Sequence, residues 1–314
     1  MGHQNKHSFG KVALLSDSSD PTISREILEV FQKKNIDVTL IDVPNIIARC
    51  SISHIVDRLT SQKFSRVFIS LTGAHYLSGG HIQGLLDLLR LDYTGSGMLA
   101  TALANDRVKT KKIWQKMGIA TTPFVTWEPD LNWQEIIGLL GFPVAVKSLY
   151  SHDQKVFKVV NMDQLKEACQ NFWSFEEIII EPWVVGDEYV VYIVGDQALP
   201  PLYLGNLVSE SIKKEYYKRL NVQGMQKLAI EAFKAIGGQG LGRVSVVKDL
   251  NDDFWILSVD LSPIIMRNCH FTEAANNFGI SFELLVEKIL ATSFVKKTNH
   301  QRLYTMDGSF KFCD

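Results

Sequence analysis

Between residues 12 and 71 the chain repeats one pattern: a short apolar run, an amphipathic stretch, another short apolar run. Val12-Ala-Leu-Leu15, Val38-Thr-Leu-Ile41 and Val67-Phe-Ile-Ser-Leu71 are almost continuously apolar, as strands buried on both faces of a parallel sheet must be. The segments between them read as helices. Asp20-Pro21 is an N-cap with proline at the first helical position, opening a helix to about residue 34, and Ser51 or Ser53 caps the next, through about residue 62. Such units restrict topology, because each crossover between parallel strands is right-handed and lays its helix on a face of the sheet. Tyr93-Thr-Gly-Ser-Gly97 reads as a turn, with one long helix predicted over 99–117.

From Pro123 the texture changes. Phe124-Val-Thr-Trp127, Phe142-Pro-Val-Ala-Val-Lys147, Lys155-Val-Phe-Lys-Val-Val160, Ile178-Ile-Ile-Glu181 and Glu188-Tyr-Val-Val-Tyr-Ile-Val194 read as strands, with helices near 132–140 and 162–173. A helix over 222–236 precedes two further strands, Gly240-Leu-Gly-Arg-Val-Ser-Val-Val247 and Phe254-Trp-Ile-Leu-Ser-Val-Asp260, and a last helix spans about 281–296. The organisation expected is an N-terminal parallel α/β domain (1–95), a central lobe (96–182), a C-terminal lobe (183–296) and a polar tail (297–314).

A chain of 314 residues with 46% hydrophobic and 21% charged residues is long and apolar enough for several cores. Its 33 basic and 34 acidic residues nearly cancel, so no basic field marks it for nucleic acid. No apolar run reaches the roughly 20 residues a membrane helix requires. The polar start lacks a signal peptide's apolar stretch. Cys50, Cys169, Cys269 and Cys313 are widely spaced, which argues against a disulfide framework or a zinc site. A cytoplasmic protein with a small-molecule or protein partner is expected.

Taken together, several stretches resemble the D-alanine–D-alanine ligase family. The most specific is Tyr93-Thr-Gly-Ser-Gly97 followed by Asn105-Asp-Arg-Val-Lys-Thr-Lys111 and Trp114. Others are His81-Ile-Gln-Gly-Leu-Leu86, Val146-Lys147, Glu181-Pro-Trp-Val-Val-Gly-Asp-Glu188, Leu199-Pro-Pro201, Gly240-Leu-Gly-Arg243 and Ile280-Ser-Phe282. They occur in the family's order. The resemblance implies the ATP-grasp fold, in which two lobes sandwich ATP, and a place in peptidoglycan biosynthesis. It also implies a reaction in which D-alanine is phosphorylated on its carboxylate and a second D-alanine attacks the acyl phosphate. Such chemistry is mostly positioning and charge neutralisation. A homodimer is implied as well.

Carried over residue by residue, the resemblance puts Lys147 and Arg107 on the nucleotide phosphates, Arg107 replacing a lysine. Glu181, Trp183 and Val184 fall in the hinge that recognises adenine, although Pro182 there lacks an N–H. Glu188 matches the residue on the ribose hydroxyls, and Arg243 the arginine that stabilises the transferring phosphoryl group; read from the residues alone, Arg243 pairs with Asp260 instead.

Other positions depart from the family. Strand alternation puts Ser245 on one face with Arg243, and Ser258 with Asp260. At Ser245, Ser258 and Asp260 active members hold two carboxylates and an amide that bind magnesium, a hard cation that favours carboxylates. One Asp with water holds a single ion weakly at best. At about 3 kcal/mol per lost contact, the two hydroxyls cost roughly four orders of magnitude in rate. The segment 148–155, where the family has a glycine-rich phosphate loop, contains no glycine. Roughly 40 residues separate Pro201 from Gly240, too few for the family's lid. Thr22 lies near the place of a substrate-binding glutamate, and Ile264 replaces a glycine that offers its N–H to the intermediate.

The sequence therefore reads as a ligase homologue that is a catalytically inactive pseudoenzyme with a binding or scaffold role. ATP is the implied nucleotide, with magnesium weakly held or absent. The alternative is a slow but genuine ATP-dependent D-alanine–D-alanine ligase relying on Asp260.

Overall fold

The computed structural model describes residues 9–17, 21–43, 51–71, 79–128, 132–148, 156–172, 178–205 and 220–294. The expected cap at Asp20, the segment 149–155, the cluster 213–219 and the tail 297–314 lie outside the described residues.

The first apolar runs form a parallel sheet of β1 (Val12–Ser16), β2 (Val38–Asp42), β3 (Arg66–Ser70) and β4 (Asp92–Tyr93), in the order β2-β1-β3-β4. Its connections carry α1 (Pro21–Lys33), α2 (Ile52–Ser61) and α3 (His81–Leu88). Of the two cap candidates, Ser51 is used, its Oγ accepting from the Ser53 N–H at 3.0 Å. Tyr93, the first residue of the expected turn at 93–97, is the last residue of the short strand β4.

The single helix expected over 99–117 is two, α4 (Met98–Asn105) and α5 (Arg107–Lys116). Asp106 between them leaves helical geometry at φ −104°, ψ 97°, and its carboxylate accepts from the Lys109 N–H at 2.8 Å. Apolar periodicity runs through the break, but an aspartate that caps a new helix competes with continuing the old one.

A second, antiparallel sheet has the order β5-β8-β6-β7, from β5 (Val125–Thr126), β6 (Val144–Ser148), β7 (Val156–Val159) and β8 (Ile178–Pro182). With α6 (Trp133–Leu140) and α7 (Met162–Phe172) it encloses its own core, which includes Ile136, Val144, Leu165 and Ile180. The third sheet is β10-β9-β12-β13, with β11 also on β9. Its strands are β9 (Gly186–Val194), β10 (Gln197–Ala198), β11 (Leu202–Tyr203), β12 (Leu241–Asp249) and β13 (Phe254–Asp260).

Strand alternation gives β9 two buried faces. Tyr189, Val191 and Ile193 join a core with Trp114 and with Met225 and Phe233 of α8 (Val222–Ala235). Val190, Tyr192 and Val194 join another with α9 (His270–Asn277), α10 (Phe282–Ala291) and the β1 and α1 side of the first sheet. There Tyr192 stacks on Phe271 at 4.5 Å between ring centroids. Helix α9 has no counterpart in the sequence reading, since Cys269 at its start provides no side-chain cap. Among the described residues, no helix is long and apolar enough to cross a membrane.

Candidate active site

The facing surfaces of the second and third sheets, closed at one end by α3 and α4, enclose a cavity of about 730 Å³. That lies within the range of about 300–1,000 Å³ usual for small-molecule sites. Arg107, Lys147, Glu181, Trp183, Val184, Glu188, Arg243 and Asp260, the residues nominated from sequence, all line it. So do Ser245, Ser258 and Ile264. Thr22 is not in its wall.

Glu181 on β8 is the electrostatic centre of one wall. Its carboxylate is enclosed and takes ion pairs from Lys147 of β6 and, at 2.8 Å, from Lys111 of α5. The Thr122 hydroxyl donates to it at 2.6 Å. Burial would raise this carboxyl, but the two ammonium groups outweigh it and hold it down at about 2. Burial pulls the Lys111 ammonium below its usual value, against the opposing pull of Glu181. Lys111 also donates to the Thr121 and Thr122 hydroxyls at 2.7 and 2.8 Å. Thr121 in turn donates to the Ile256 carbonyl of β13, and Ile256 N–H to the Ala120 carbonyl. This network ties the second sheet to the third. Lys111 ends the Asn105–Lys111 motif, where nothing in the sequence assigns it a partner; its one signal is a lysine amid residues that the fold buries.

The hinge is shaped by its backbone. Pro182 has no N–H, and that of Trp183 donates to the Pro143 carbonyl at 2.9 Å. The Val184 N–H donates to no described residue, and Val184 lines the cavity. Lys158 lies 5.1 Å from the Trp183 ring centroid.

On the opposite wall, Arg243 pairs in register with Asp260 and Ser245 with Ser258 across β12 and β13, with a bulge just beyond. All four are half-buried. Asp260 Oδ1 accepts from the Ser262 N–H at 2.8 Å, and Oδ2 is 4.0 Å from Arg243 Nε. The surviving carboxylate thus already has a cation beside it, and its two neighbours are neutral hydroxyls. Among the described residues no group of three His, Cys, Asp or Glu side chains is placed to hold a metal. This donor set does not fit magnesium. The cavity, the hinge and the cations do fit a nucleotide.

A family model described as D-ala D-ala ligase C-terminus matches residues 113–291. The D-alanine–D-alanine ligase of Psychrobacter sp. (strain PRwf-1) is 30% identical over 314 aligned residues, covering 92% of this chain and 90% of the relative. The D-alanine–D-alanine ligase B of Pseudomonas putida is 31% identical over 307, covering 91% and 94%. The chain belongs to the D-alanine–D-alanine ligase family. Among solved structures, the D-alanine–D-alanine ligase of Bacillus anthracis complexed with ATP matches with a TM-score of 0.77 at 20% identity, over 93% of this chain and 99% of that one. That of Coxiella burnetii matches at 0.73 and 18%, over 94% and 98%. These two speak to the fold, which is ATP-grasp.

Within that family frame, the cavity is the cleft between the two ATP-grasp lobes. The wall with Lys147 and Glu181 and the wall with Arg243 and Asp260 come from different sheets, so any molecule spanning them touches both.

Proposed function

We propose that this protein is a D-alanine–D-alanine ligase homologue without appreciable ligase activity. It binds a nucleotide without help from magnesium and serves as a binding or scaffold protein of cell-wall precursor synthesis. One observation carries the reading: Ser245 and Ser258 face each other in the cavity wall, where the family resemblance calls for metal carboxylates. Lys147, Arg107 and Arg243 supply positive charge toward the phosphates, Val184 and Glu181 form the adenine end, and Glu188 lies toward the ribose. Asp260 is engaged by Ser262 and Arg243 rather than by a metal. Pairing of two copies is proposed by analogy with the family.

Calorimetric titration of ATP with and without magnesium tests this, alongside an assay for D-alanyl-D-alanine. The expected result is binding that changes less than about threefold with magnesium, and no dipeptide. Binding that tightens about tenfold or more, with turnover near the usual enzyme rate of about 10 per second, would establish a working ligase.

A further inference from the structure

The chain between β13 and α9, residues 261–269, has no regular secondary structure. Even so, its Ser262, Pro263, Ile264 and Cys269 line the cavity, with His270 just beyond. A wall of this kind keeps its shape only where its backbone groups find fixed partners. Towards its ends the partners are local. The Ser262 N–H donates to Asp260, and the Met266 carbonyl accepts from the Thr272 hydroxyl at 2.6 Å and from the Cys269 thiol at 3.1 Å. At Arg267 the partner comes from far away in the sequence: its N–H donates to Glu26 Oε2 of α1 at 2.6 Å.

The Arg267 side chain is held separately. Its guanidinium pairs with Glu283 of α10 at 2.9 Å and lies 4.7 Å from the Phe282 ring centroid. Glu26 thus engages the main chain, where a carboxylate accepting from an N–H makes one of the stronger hydrogen bonds. Two residues earlier, Ile265 is buried in one core with Ile23 and Ile27 of the same helix. The docking of α1 does not depend on Glu26. Lys34, just past the end of α1, pairs with Glu287 of α10 at 2.5 Å, and both helices share that core.

We propose that Glu26 is a positioning residue for the cleft. It contributes no atom to the wall. By holding the Arg267 amide it sets where Pro263, Ile264 and Cys269 stand, so that α1, outside the cleft, governs the shape of one side of it. The role is that of an acceptor rather than of a charge, and a carboxamide oxygen fills it equally well. Only the effect on ligand affinity rests on the nucleotide reading above; the placing of the wall does not.

Cys269 reports on this segment, because its thiol is seated on the Met266 carbonyl and is released when the segment opens locally. The full chain is labelled with N-ethylmaleimide and the Cys269 peptide followed by mass spectrometry, in the wild type, Glu26→Ala, Glu26→Gln and Lys34→Met. Labelling of Cys269 is expected to be at least about fivefold faster in Glu26→Ala, the factor that corresponds to one lost hydrogen bond, and within about twofold of the wild type in the other two variants. ATP titrated without magnesium is expected to bind Glu26→Ala at least about threefold more weakly than the wild type, with Glu26→Gln restoring the affinity. Wild-type labelling in Glu26→Ala, or no rescue by Glu26→Gln, overturns the proposal. So does equal acceleration in Lys34→Met, which loosens the two helices without touching the amide. An unchanged ATP affinity in Glu26→Ala overturns it as well. A wild type that binds no ATP counts against the nucleotide reading alone, since the labelling needs no ligand and decides the role of Glu26 by itself.

Discussion

Lys111 Nζ lies 2.8 Å from Glu181 Oε2, and the two side chains are 3% and 2% exposed. A carboxylate so enclosed tolerates its charge only because Lys111 and Lys147 both face it. Glu181→Gln leaves two ammonium groups against a neutral amide in a closed space. The expected loss is about 3–5 kcal/mol of unfolding free energy, read from urea denaturation; a loss below about 1 kcal/mol would show that water reaches the cluster.

The same carboxylate predicts acid sensitivity. Its folded value of about 2 lies below the ordinary value of 4.5, so its contribution is fully present above pH 4.5 and is lost as pH falls through 2. The unfolded chain takes up the proton first, and stability declines over that window by about 3 kcal/mol. Unfolding midpoints measured from pH 7 down to 2 check this. In Glu181→Gln, already less stable, the part of the decline due to Glu181 is absent.

Adding carboxylates to the wall of β12 and β13 tests the magnesium argument directly. Ser245 and Ser258 are cross-strand partners, so carboxylates at both positions point into one space beside Asp260. In the double variant Ser245→Asp, Ser258→Glu, magnesium is expected to tighten ATP binding by about tenfold or more, a difference of about 1.4 kcal/mol. Without magnesium the variant binds ATP more weakly than the wild type, because two carboxylates then face the phosphates. If magnesium makes no difference in the variant, the loss of metal binding lies elsewhere in the cleft.

Much of this was legible because it rests on local pattern. The β13 strand over residues 254–260 and the facing of Ser258 and Asp260 follow from alternation, which is a property of the backbone. The candidate site residues come from motif order, and the fold gathers them in one cavity. What escaped depends on contacts between segments distant in sequence. Lys111 became a partner of Glu181 only when α5 docked against β8, 70 positions further on in the numbering. Gln83 stands in a motif, yet its burial follows only once β3 and the exit of β13 surround it. The break at Asp106 was local but ambiguous, since an aspartate in an amphipathic run signals a cap only if the chain turns there.

Gly240 shows how a motif glycine can be explained rather than matched. It sits at φ +73°, and a Cβ there would come within 2.8 Å of the Gly95 backbone nitrogen and 3.0 Å of the Thr292 hydroxyl. The neighbouring Ser96 hydroxyl both donates to the Gln239 carbonyl and accepts from its N–H, at 3.0 and 2.9 Å. Two turns, one from each end of the fold, thus meet backbone to backbone. Gly240→Ala adds left-handed strain to a backbone collision and is expected to cost about 2–4 kcal/mol. Gly118→Ala is the control: it shares the positive φ, +72°, but its Cβ would meet nothing within 4 Å, and its cost should stay near 1 kcal/mol. Denaturant unfolding of the two variants separates close approach from backbone strain. Equal costs would mean that the contact between Gly240 and Gly95 relaxes freely, and that the junction of the first and third sheets is looser than its hydrogen bonds indicate.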